Sequence, residues 1–205
     1  GRLACSNPNT QQVPNTEDFR KLFIAPAGMS LVSADFSQIE LRIAALLSGD
    51  LNMIDSYAQG IDLHAKTAAS IAGIPIQDVT PTQRQAAKPV NFGVLYGLQA
   101  PSLVKTAKTS YGVDMTENEA RIALRQFSRA YPQLNRWQQE RREEARTTDK
   151  VMSKSGLVRD FNIQGGGYIN GESVNMPVQA TAAEVLMASL KRVQRRLYGT
   201  VHDEI

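Results

Sequence analysis

Four side chains within the stretch Thr80–Gly97 combine positive charge and aromatic surface at a regular spacing. They are Arg84, Lys88, Phe92 and Tyr96, and they recur at every fourth position. Because a helix turns by about 100° per residue, successive members drift by only ~40° and share one side of a helix. Two cations can hold phosphates at one end of that side, and two rings can support a flat base at the other. The alternative is an amphipathic helix whose long basic chains lie beside buried rings.

The residues around this series predict where its helix begins. Thr80 is a suitable N-cap, Pro81 fits the first helical position, and Gln83 can complete a capping box. Pro89 lies inside the predicted helix, where a proline removes one backbone hydrogen bond and costs ~3 kcal/mol or a kink. We therefore expect a helix that starts at Pro81 and bends near Pro89.

Carboxylates stand in two strand-like segments that are far apart in the sequence. Ser30–Phe36 is typical of a strand that ends at Asp35 and leads through a turn into a helix. Val201–Ile205 is the second segment, and it contains three polar residues, His202, Asp203 and Glu204. Aspartates on neighbouring strands can share two divalent cations ~3.5–4 Å apart, an arrangement that serves phosphoryl transfer. For Asp35 alone, a turn or a helix cap is the alternative role.

A histidine follows a second predicted helix start. Asp62 is a plausible N-cap for a helix over Leu63–Ala72, and Gly73 is its expected stop. His64 falls in the first turn of that helix. It is either a neutral histidine on the surface or a phosphate contact at a helix N-terminus.

The remaining pattern is mostly helical. Thr116 and Glu119 form a second capping box, which predicts a helix to about residue 130, and a charged helix is expected over Gln133–Thr147. Residues 150–161 favour two short strands about a turn. Gln179–Leu197 is the longest regular segment, with small apolar residues on one face and a basic end.

Composition limits the class of protein without fixing it. The chain has 205 residues, of which 42% are hydrophobic, so it is long enough for one or two globular domains. A net charge of +3 and an isoelectric point near 9.1 permit a nucleic-acid partner without requiring one. Cys5 is the only cysteine, which fits a reducing compartment, and no apolar run reaches the ~18 residues of a membrane span. With no signal peptide apparent, we expect a cytoplasmic protein. Because the chain starts at Gly1, we also expect it to be part of a longer one.

Five segments together resemble one family. DFSQIELR at Asp35–Arg42 resembles the first palm motif of family A DNA polymerases, the bacterial DNA polymerase I type. The other similar segments are RQAAKPVNFGVLYG at Arg84–Gly97, VHDEI at Val201–Ile205, GRLACSNPNTQQVP at Gly1–Pro14 and NMPVQATAAE at Asn175–Glu184. The resemblance implies a helix-rich α+β fold, in which a polymerase palm with an antiparallel sheet carries inserted helical fingers and the thumb is absent. It places residues 1–49 and 166–205 in the palm and residues 50–165 in the fingers.

The resemblance also implies roles for single residues. Asp35 and Asp203 match the two metal-binding aspartates, the carbonyl of Phe36 is a further ligand, and Glu204 is a secondary acid. The metals would be two Mg²⁺ ions, with Mn²⁺ as a substitute. The residues matched to the incoming deoxynucleotide are Gln38, Glu40, His64, Arg84, Lys88, Phe92 and Tyr96. Those matched to primer–template DNA are Arg2, Asn9, Arg42, Asn175, Gln179 and His202.

Three of these residues have a more specific implied chemistry. Glu40 matches the group that crowds the sugar 2′ position and so selects deoxyribonucleotides. Lys88 is the expected proton donor to pyrophosphate, because an ammonium can release a proton and a guanidinium cannot. Phe92 has no phenol that could replace a missing 3′-hydroxyl, so we expect discrimination against dideoxynucleotides.

The implied activity is template-directed DNA synthesis, in which a nucleotide is transferred from a dNTP to a primer 3′-hydroxyl. The partners are primer–template DNA and dNTPs, with no membrane and no indicated oligomer, and this chain alone is expected to be inactive. A two-metal nuclease and a catalytically dead DNA-binding lobe are the alternatives. Two departures from the family pattern stand out: Pro89 inside the fingers helix and a short connection before His202.

Overall fold

A computed structural model describes residues 3–7, 9–14, 16–162, 169–193 and 199. Helices dominate this part of the chain, and one small antiparallel hairpin accompanies them. In chain order the elements are α1 (Glu17–Arg20), α2 (Ile39–Ser48), α3 (Leu51–Ala58), α4 (Leu63–Ala72), α5 (Pro81–Leu95), α6 (Ala100–Tyr111), α7 (Glu117–Ala130), α8 (Pro132–Thr148), β1 (Lys150–Met152), β2 (Val158–Asp160) and α9 (Ile169–Val193).

The predicted helix caps are confirmed. Thr80 accepts a hydrogen bond from the Gln83 N–H while the Gln83 side chain accepts from the Thr80 N–H, so the capping box of α5 is complete. The same reciprocal pair opens α7. Asp62 caps α4, and Gly73 ends it in the left-handed conformation at a φ of 66°. These helix ends depend on neighbours in the sequence, which is why the pattern predicts them.

The main core lies where α2, α4, α5, α6, α7 and α8 meet. Helix α5 is central, because it packs against α4 on one side and α6 on the other and also contacts α7. Large apolar side chains fill this core, and the most completely buried include Leu41, Met53, Leu63, Leu95, Leu103 and Leu134. The core therefore fixes α5 and its side chains relative to the other helices.

One buried acid joins two helix starts to this core. The Oδ1 atom of Asp50 accepts a hydrogen bond from the Met53 N–H at the start of α3. Its Oδ2 atom accepts from the N–H groups of Gln133 and Leu134 in the first turn of α8, at 3.0 and 3.1 Å. The turn between α7 and α8 is thereby held against the turn between α2 and α3.

The hairpin forms a second, smaller core. The two short strands are present as predicted, and they pair antiparallel with Val151 opposite Arg159. Strand β1 packs against α8 and α9. Ala145, Val151 and Phe161 are buried together beside Met176. The hydroxyl of Ser153 donates to Glu184 of α9 at 2.8 Å, so a polar contact also fixes the hairpin.

Several predictions about elements need correction. The strand expected over Ser30–Phe36 is reduced to a single β-bridge residue, Asp35, because no neighbouring strand among the described residues supplies hydrogen-bond partners for the rest. The long last helix begins at Ile169, ten positions before the expected Gln179, and it continues through Pro177. Packing against α8 and α2 stabilises a segment that its internal proline disfavours. Its predicted end at Leu197 lies outside the described residues.

Helices α3 and α6 were not predicted. Gly49 ends α2 and the next residue, Asp50, caps α3, so two helices meet where a single turn is the simpler interpretation of the sequence. Pro101 resembles a helix breaker, but it lies in the first turn of α6, where its missing N–H costs nothing. Over the part of the chain that the structure describes, no helix is both long and apolar enough to span a bilayer.

Candidate functional site

The cationic and aromatic series lies on one helix, as predicted. Helix α5 runs without interruption from Pro81 through Pro89 to Leu95, with Tyr96 as its C-cap. Arg84, Lys88, Phe92 and Tyr96 are all half-buried, whereas the residues of the opposite face are buried in the core. This helix therefore presents two cations and then two rings along the border between its buried and exposed faces. The expected bend at Pro89 stays a prediction.

An ion pair holds the first cation of the series. The Nε atom of Arg84 donates to Oδ2 of Asp62 at 2.5 Å. Asp62 also accepts hydrogen bonds from the backbone N–H groups of His64 and Ala65 at the start of α4. Although burial favours the protonated acid, these bonds from Arg84 and the backbone hold the pKa of Asp62 below its usual value. Arg84 is thus oriented by the N-cap of the neighbouring helix.

His64 is neutral, but the expectation of a surface position for it is wrong. Its residue is only 4% exposed, because α5 covers the first turn of α4. Burial lowers the pKa of His64 to about 4; Asp62 opposes this shift, while Arg84 and Lys88 add to it. The side-chain amide nitrogen of Asn91 lies 2.7 Å from Nδ1 of His64. If the amide nitrogen donates, Nδ1 is the acceptor and the proton of the neutral ring is on Nε2; which of the two groups donates depends on the tautomer of the ring.

Phe92 lies between two other rings. Its centroid is 5.7 Å from that of His64 and 6.3 Å from that of Tyr111, and the Tyr111 ring is nearly parallel to it. These contacts join α5 to the start of α4 and to the end of α6. They restrict the position of the Phe92 ring, which is what a platform for a base requires.

Tyr96 connects α5 to the segment that follows the first carboxylate. Its hydroxyl donates to Oε2 of Glu40 at 3.2 Å, across 56 positions of sequence. Glu40 is in the first turn of α2 and is only 8% exposed. Burial raises the pKa of Tyr111, and the negative charge of Glu40 raises it further. Glu40 is therefore a buried acid close to two tyrosines.

The start of α2 shows local strain. Gln38, its N-cap, has a φ of 55°, a left-handed conformation that a side chain with a Cβ rarely adopts. The hydroxyl of Tyr57 donates to the Gln38 side chain at 3.0 Å. The Arg42 guanidinium lies 4.4 Å from the centroid of the Tyr57 ring, and its Nε donates to the Ser37 carbonyl. Tyr57 therefore positions two of the predicted site residues.

Asp35 and Phe36 precede this strained turn. Asp35 is exposed, whereas the ring of Phe36 packs against the main core and so anchors the segment. The carboxylate of Asp35 and the carbonyl of Phe36 are oxygen donors, which suit a hard cation such as Mg²⁺. Within residues 3–162 and 169–193, apart from the few positions left undescribed, no three metal-binding side chains cluster. Asp203 and Glu204 lie outside the described residues, so the predicted meeting of Asp35 with Asp203 stays a prediction.

The residues predicted to contact DNA are less fully described. Asn9 accepts a hydrogen bond from the Gln11 N–H and caps a short 3₁₀ turn. Asn175 and Gln179 lie one turn apart on α9, and both are half-buried. The Oδ1 atom of Asn175 is buried and has no hydrogen-bond partner among the residues that the structure describes. Arg2 and His202 lie outside the described residues.

Sequence reasoning missed four residues that position the site: Tyr57, Asp62 as the partner of Arg84, Asn91 and Tyr111. Asn91 is fully buried in the middle of α5. A polar residue on the apolar face of a predicted helix is a signal that could have identified it, because buried amides need partners. Nothing local marks the other three, since each acts on a different helix.

Two cations and two rings thus lie along α5, and the last ring contacts the helix that follows the carboxylate motif. Comparison with known proteins assigns the chain to a class. The sequence model described as DNA polymerase family A matches residues 1–205, so the chain belongs to this family. This confirms the resemblance that the motifs indicated.

Individual relatives agree with that assignment. DNA polymerase I of Aquifex aeolicus is 33% identical over the whole chain, which covers 36% of that protein. The thermostable DNA polymerase I of Thermus thermophilus is 36% identical and is covered to 26%. Among solved structures, the polymerase domain of Pol1 from M. smegmatis, in complex with DNA primer-template and dNTP, matches with a TM-score of 0.82 at 28% identity. The match covers all of this chain and 38% of that one, and it confirms the helix-rich polymerase fold.

Proposed function

We propose that this chain is part of a DNA-directed DNA polymerase that transfers a nucleotide from a dNTP to a primer 3′-hydroxyl. The chain spans about a quarter to a third of the relatives that it matches. The activity therefore belongs to the whole protein, and the chain alone is inactive. Residues 1–49 and 166–205 belong to its palm and residues 50–165 to its fingers.

The contact between Tyr96 and Glu40 carries this proposal. It joins the far end of the cationic and aromatic helix to the helix that follows Asp35. A nucleotide lying along α5, with its phosphates near Arg84 and its base near Tyr96, would therefore have its sugar next to the carboxylate motif. Nucleotide transfer to a primer end requires this order of phosphates, sugar and base.

The phosphate end of the site has two cations with different tasks. Arg84 is held in place by Asp62 and can offer its remaining N–H groups to a phosphate. Lys88 is half-buried and makes no hydrogen bond or ion pair within the described part of the chain. In the reaction the primer 3′-hydroxyl releases its proton to solvent and its oxygen bonds to the α-phosphorus, while the bond between that phosphorus and the bridging oxygen of pyrophosphate breaks. Lys88 gives a proton to the leaving pyrophosphate, since an ammonium can do so and Arg84 cannot.

The neutral His64 has one N–H to offer. With Nδ1 bonded to Asn91, the Nε2–H group is the donor available to a phosphate oxygen.

Selection of the sugar follows from the burial of Glu40. Its carboxylate is held by Tyr96 in a nearly closed space. A 2′-hydroxyl would either collide with Glu40 or break its hydrogen bond with Tyr96, so deoxynucleotides are preferred. Phe92, whose ring lies between those of His64 and Tyr111, supports the sugar and base. Gln38, the N-cap of α2, belongs to the same nucleotide site as Glu40 in the first turn of that helix.

Two Mg²⁺ ions would be held by Asp35, the Phe36 carbonyl and Asp203. The ions would stabilise the negative charge on the attacking and leaving oxygens. Glu204 contributes negative charge to the same motif. The primer–template contacts that we propose are Arg2, Asn9, Arg42, Asn175, Gln179 and His202. The buried Oδ1 of Asn175, which has no partner within the described part of the chain, supports an assignment to binding rather than to packing.

Primer extension tests the proposal. The full-length protein, supplied with Mg²⁺, dNTPs and a labelled primer on a template, is expected to lengthen the primer. Asp35→Asn should lower the rate by at least ~10²-fold, because it removes one charge of the metal site. Asp55→Asn, an exposed acid on α3, is the matched control and should keep the wild-type rate.

Two results on the same gel would favour the alternatives. Primers that shorten with Mg²⁺ would indicate a nuclease. Salt-sensitive DNA binding without any extension or shortening would indicate a DNA-binding lobe that has lost catalysis.

A further inference from the structure

Tyr57 lies on α3, a helix that supplies no residue to the predicted site, but its side chain reaches two site residues on α2. Its hydroxyl donates to Oε1 of Gln38 at 3.0 Å, and its ring centroid lies 4.4 Å from the Arg42 guanidinium. Gln38 and Arg42 are one turn apart, since the Arg42 N–H donates to the Gln38 carbonyl at 3.1 Å. A single tyrosine therefore contacts both ends of the first turn of α2.

Helix α3 holds this tyrosine in a fixed place. Asp50 caps the helix and also accepts from two N–H groups at the start of α8. The neighbouring Ser56 is buried, and its hydroxyl accepts from Lys66 of α4 at 2.6 Å. The Tyr57 ring itself packs against the main core. The position of the Tyr57 hydroxyl is therefore set by the core and not by α2.

Gln38 needs such a support because its backbone is strained. Its φ of 55° lies in the left-handed region, where a residue with a Cβ is rarely stable. Within the described residues, the bond from Tyr57 is the only hydrogen bond of the Gln38 side chain. Without it, the amide could rotate about its terminal bonds, and a ligand would have to fix its orientation on binding.

The direction of this hydrogen bond decides which part of the Gln38 amide is left for a ligand. Burial raises the pKa of Tyr57, so its phenol keeps the proton at neutral pH. The Arg42 charge over the ring opposes this shift, and by the same effect it makes the hydroxyl a stronger donor and a weaker acceptor. The amide oxygen of Gln38 is therefore engaged by Tyr57, and its NH₂ group remains as the donor.

We propose that Tyr57 positions Gln38 so that the NH₂ group of its amide donates to an acceptor atom of the incoming nucleotide. The inference rests on the proposed function, which places Gln38 in the nucleotide site. Tyr57 touches no reacting atom and acts only through Gln38, while the Arg42 charge favours the required direction of the bond. An oxygen or a ring nitrogen of the sugar or base is the class of acceptor that an amide NH₂ group binds.

Nucleotide binding to the full-length protein tests this without any chemistry. The protein is saturated with primer–template DNA whose primer ends in a dideoxynucleotide, and calorimetric titration gives the Kd of the dNTP that pairs with the next template base. Tyr57→Phe keeps the ring and removes the hydroxyl, so the dNTP should bind about fivefold more weakly. The Kd for DNA should stay within about twofold, because Arg42 keeps its ring. Gln38→Met should weaken dNTP binding about tenfold, and adding Tyr57→Phe should weaken it no further.

The matched control is Tyr131→Phe, which removes a buried phenol hydroxyl between α7 and α8 and should keep the dNTP Kd within about twofold. An unchanged dNTP Kd in Tyr57→Phe, or a further loss when it is combined with Gln38→Met, would overturn the proposal. So would a Gln38→Glu protein that binds the dNTP as tightly as the wild type, since glutamate keeps the acceptor for Tyr57 but has no NH₂ group.

These outcomes are separable from those for the proposed function. A protein that extends primers but shows any of the contrary results fails only this inference. One that shows the expected dNTP affinities but never extends a primer fails only the proposed function, and a wild type that binds no dNTP contradicts both.

Discussion

Large apolar side chains are buried in one region of this chain and exposed in another. In the helical block from α2 to α8, Leu41, Leu63 and Leu103 are completely buried. Between α1 and α2, Ile24 is 76% exposed and Val32 is 83% exposed, and residues 23–34 form no helix or strand. The difference lies in where each region obtains its partners.

The helical block is nearly self-contained. Its helices satisfy their first N–H groups with side chains such as Thr80, Thr116 and Asp62, and they bury their apolar faces against one another. The segment before α2 has apolar side chains but no described neighbour that covers them. Strand residues gain stability only through pairing, whereas helix residues form hydrogen bonds within their own segment.

The largest expected effect comes from a substitution of Asp50, which joins the starts of α3 and α8. Asp50→Ala should lower the free energy of unfolding by about 3 kcal/mol, because three backbone N–H groups at the starts of α3 and α8 lose their acceptor. Urea denaturation followed by circular dichroism measures the change. Asp55→Ala, at an exposed position of α3, is the control and should change it by less than ~0.5 kcal/mol. An equally small loss for Asp50→Ala would mean that the two turns hold together without it.

The same contrast between local contacts and contacts with distant segments determines which helices and strands could be predicted from the sequence. The caps of α4, α5 and α7 are local signals, and all three were predicted. The start of α9 was missed because Pro177 argues against a helix, and only packing against α2 and α8 outweighs it. The strand at Ser30–Phe36 was overpredicted because alternation says nothing about whether a pairing strand lies beside it.

For the site, residue types and spacing were predictable, but contacts were not. The series on α5 and the role of Asp62 as a cap follow from positions a few residues apart. The Arg84–Asp62 pair, the Asn91–His64 bond and the stacking of Tyr111 on Phe92 each join residues of two helices. No periodicity in one sequence reveals which helices become neighbours.

The next largest expected effect is a change of stability with pH that is caused by His64. The pKa of His64 is about 4 in the folded chain and near 6.5 in the unfolded one. As the pH falls below 6.5, the unfolded chain therefore takes up the proton first, and stability is lost until the folded chain also titrates near pH 4. We expect the free energy of unfolding to fall by about 2 kcal/mol between about pH 7 and about pH 5 from this residue alone.

His64→Gln isolates this contribution, because glutamine can accept from Asn91 but does not titrate. The free energy of unfolding of the variant should therefore change less with pH than that of the wild type, by about 2 kcal/mol over the same range. Curves that run parallel from about pH 7 to about pH 5 would show that the ring is not buried in the folded protein.

The smallest effect is the most direct comparison of the two regions, because one substitution can be made in both. Val→Thr keeps the shape of the side chain but replaces a methyl with a hydroxyl. Val90→Thr, in the core face of α5, should cost about 1–2 kcal/mol, since the hydroxyl is buried. Val32→Thr should cost less than ~0.5 kcal/mol, because the side chain is 83% exposed. If both substitutions lower the urea midpoint equally, the segment before α2 is packed against a partner surface in solution, and its exposed apolar residues are part of an interface.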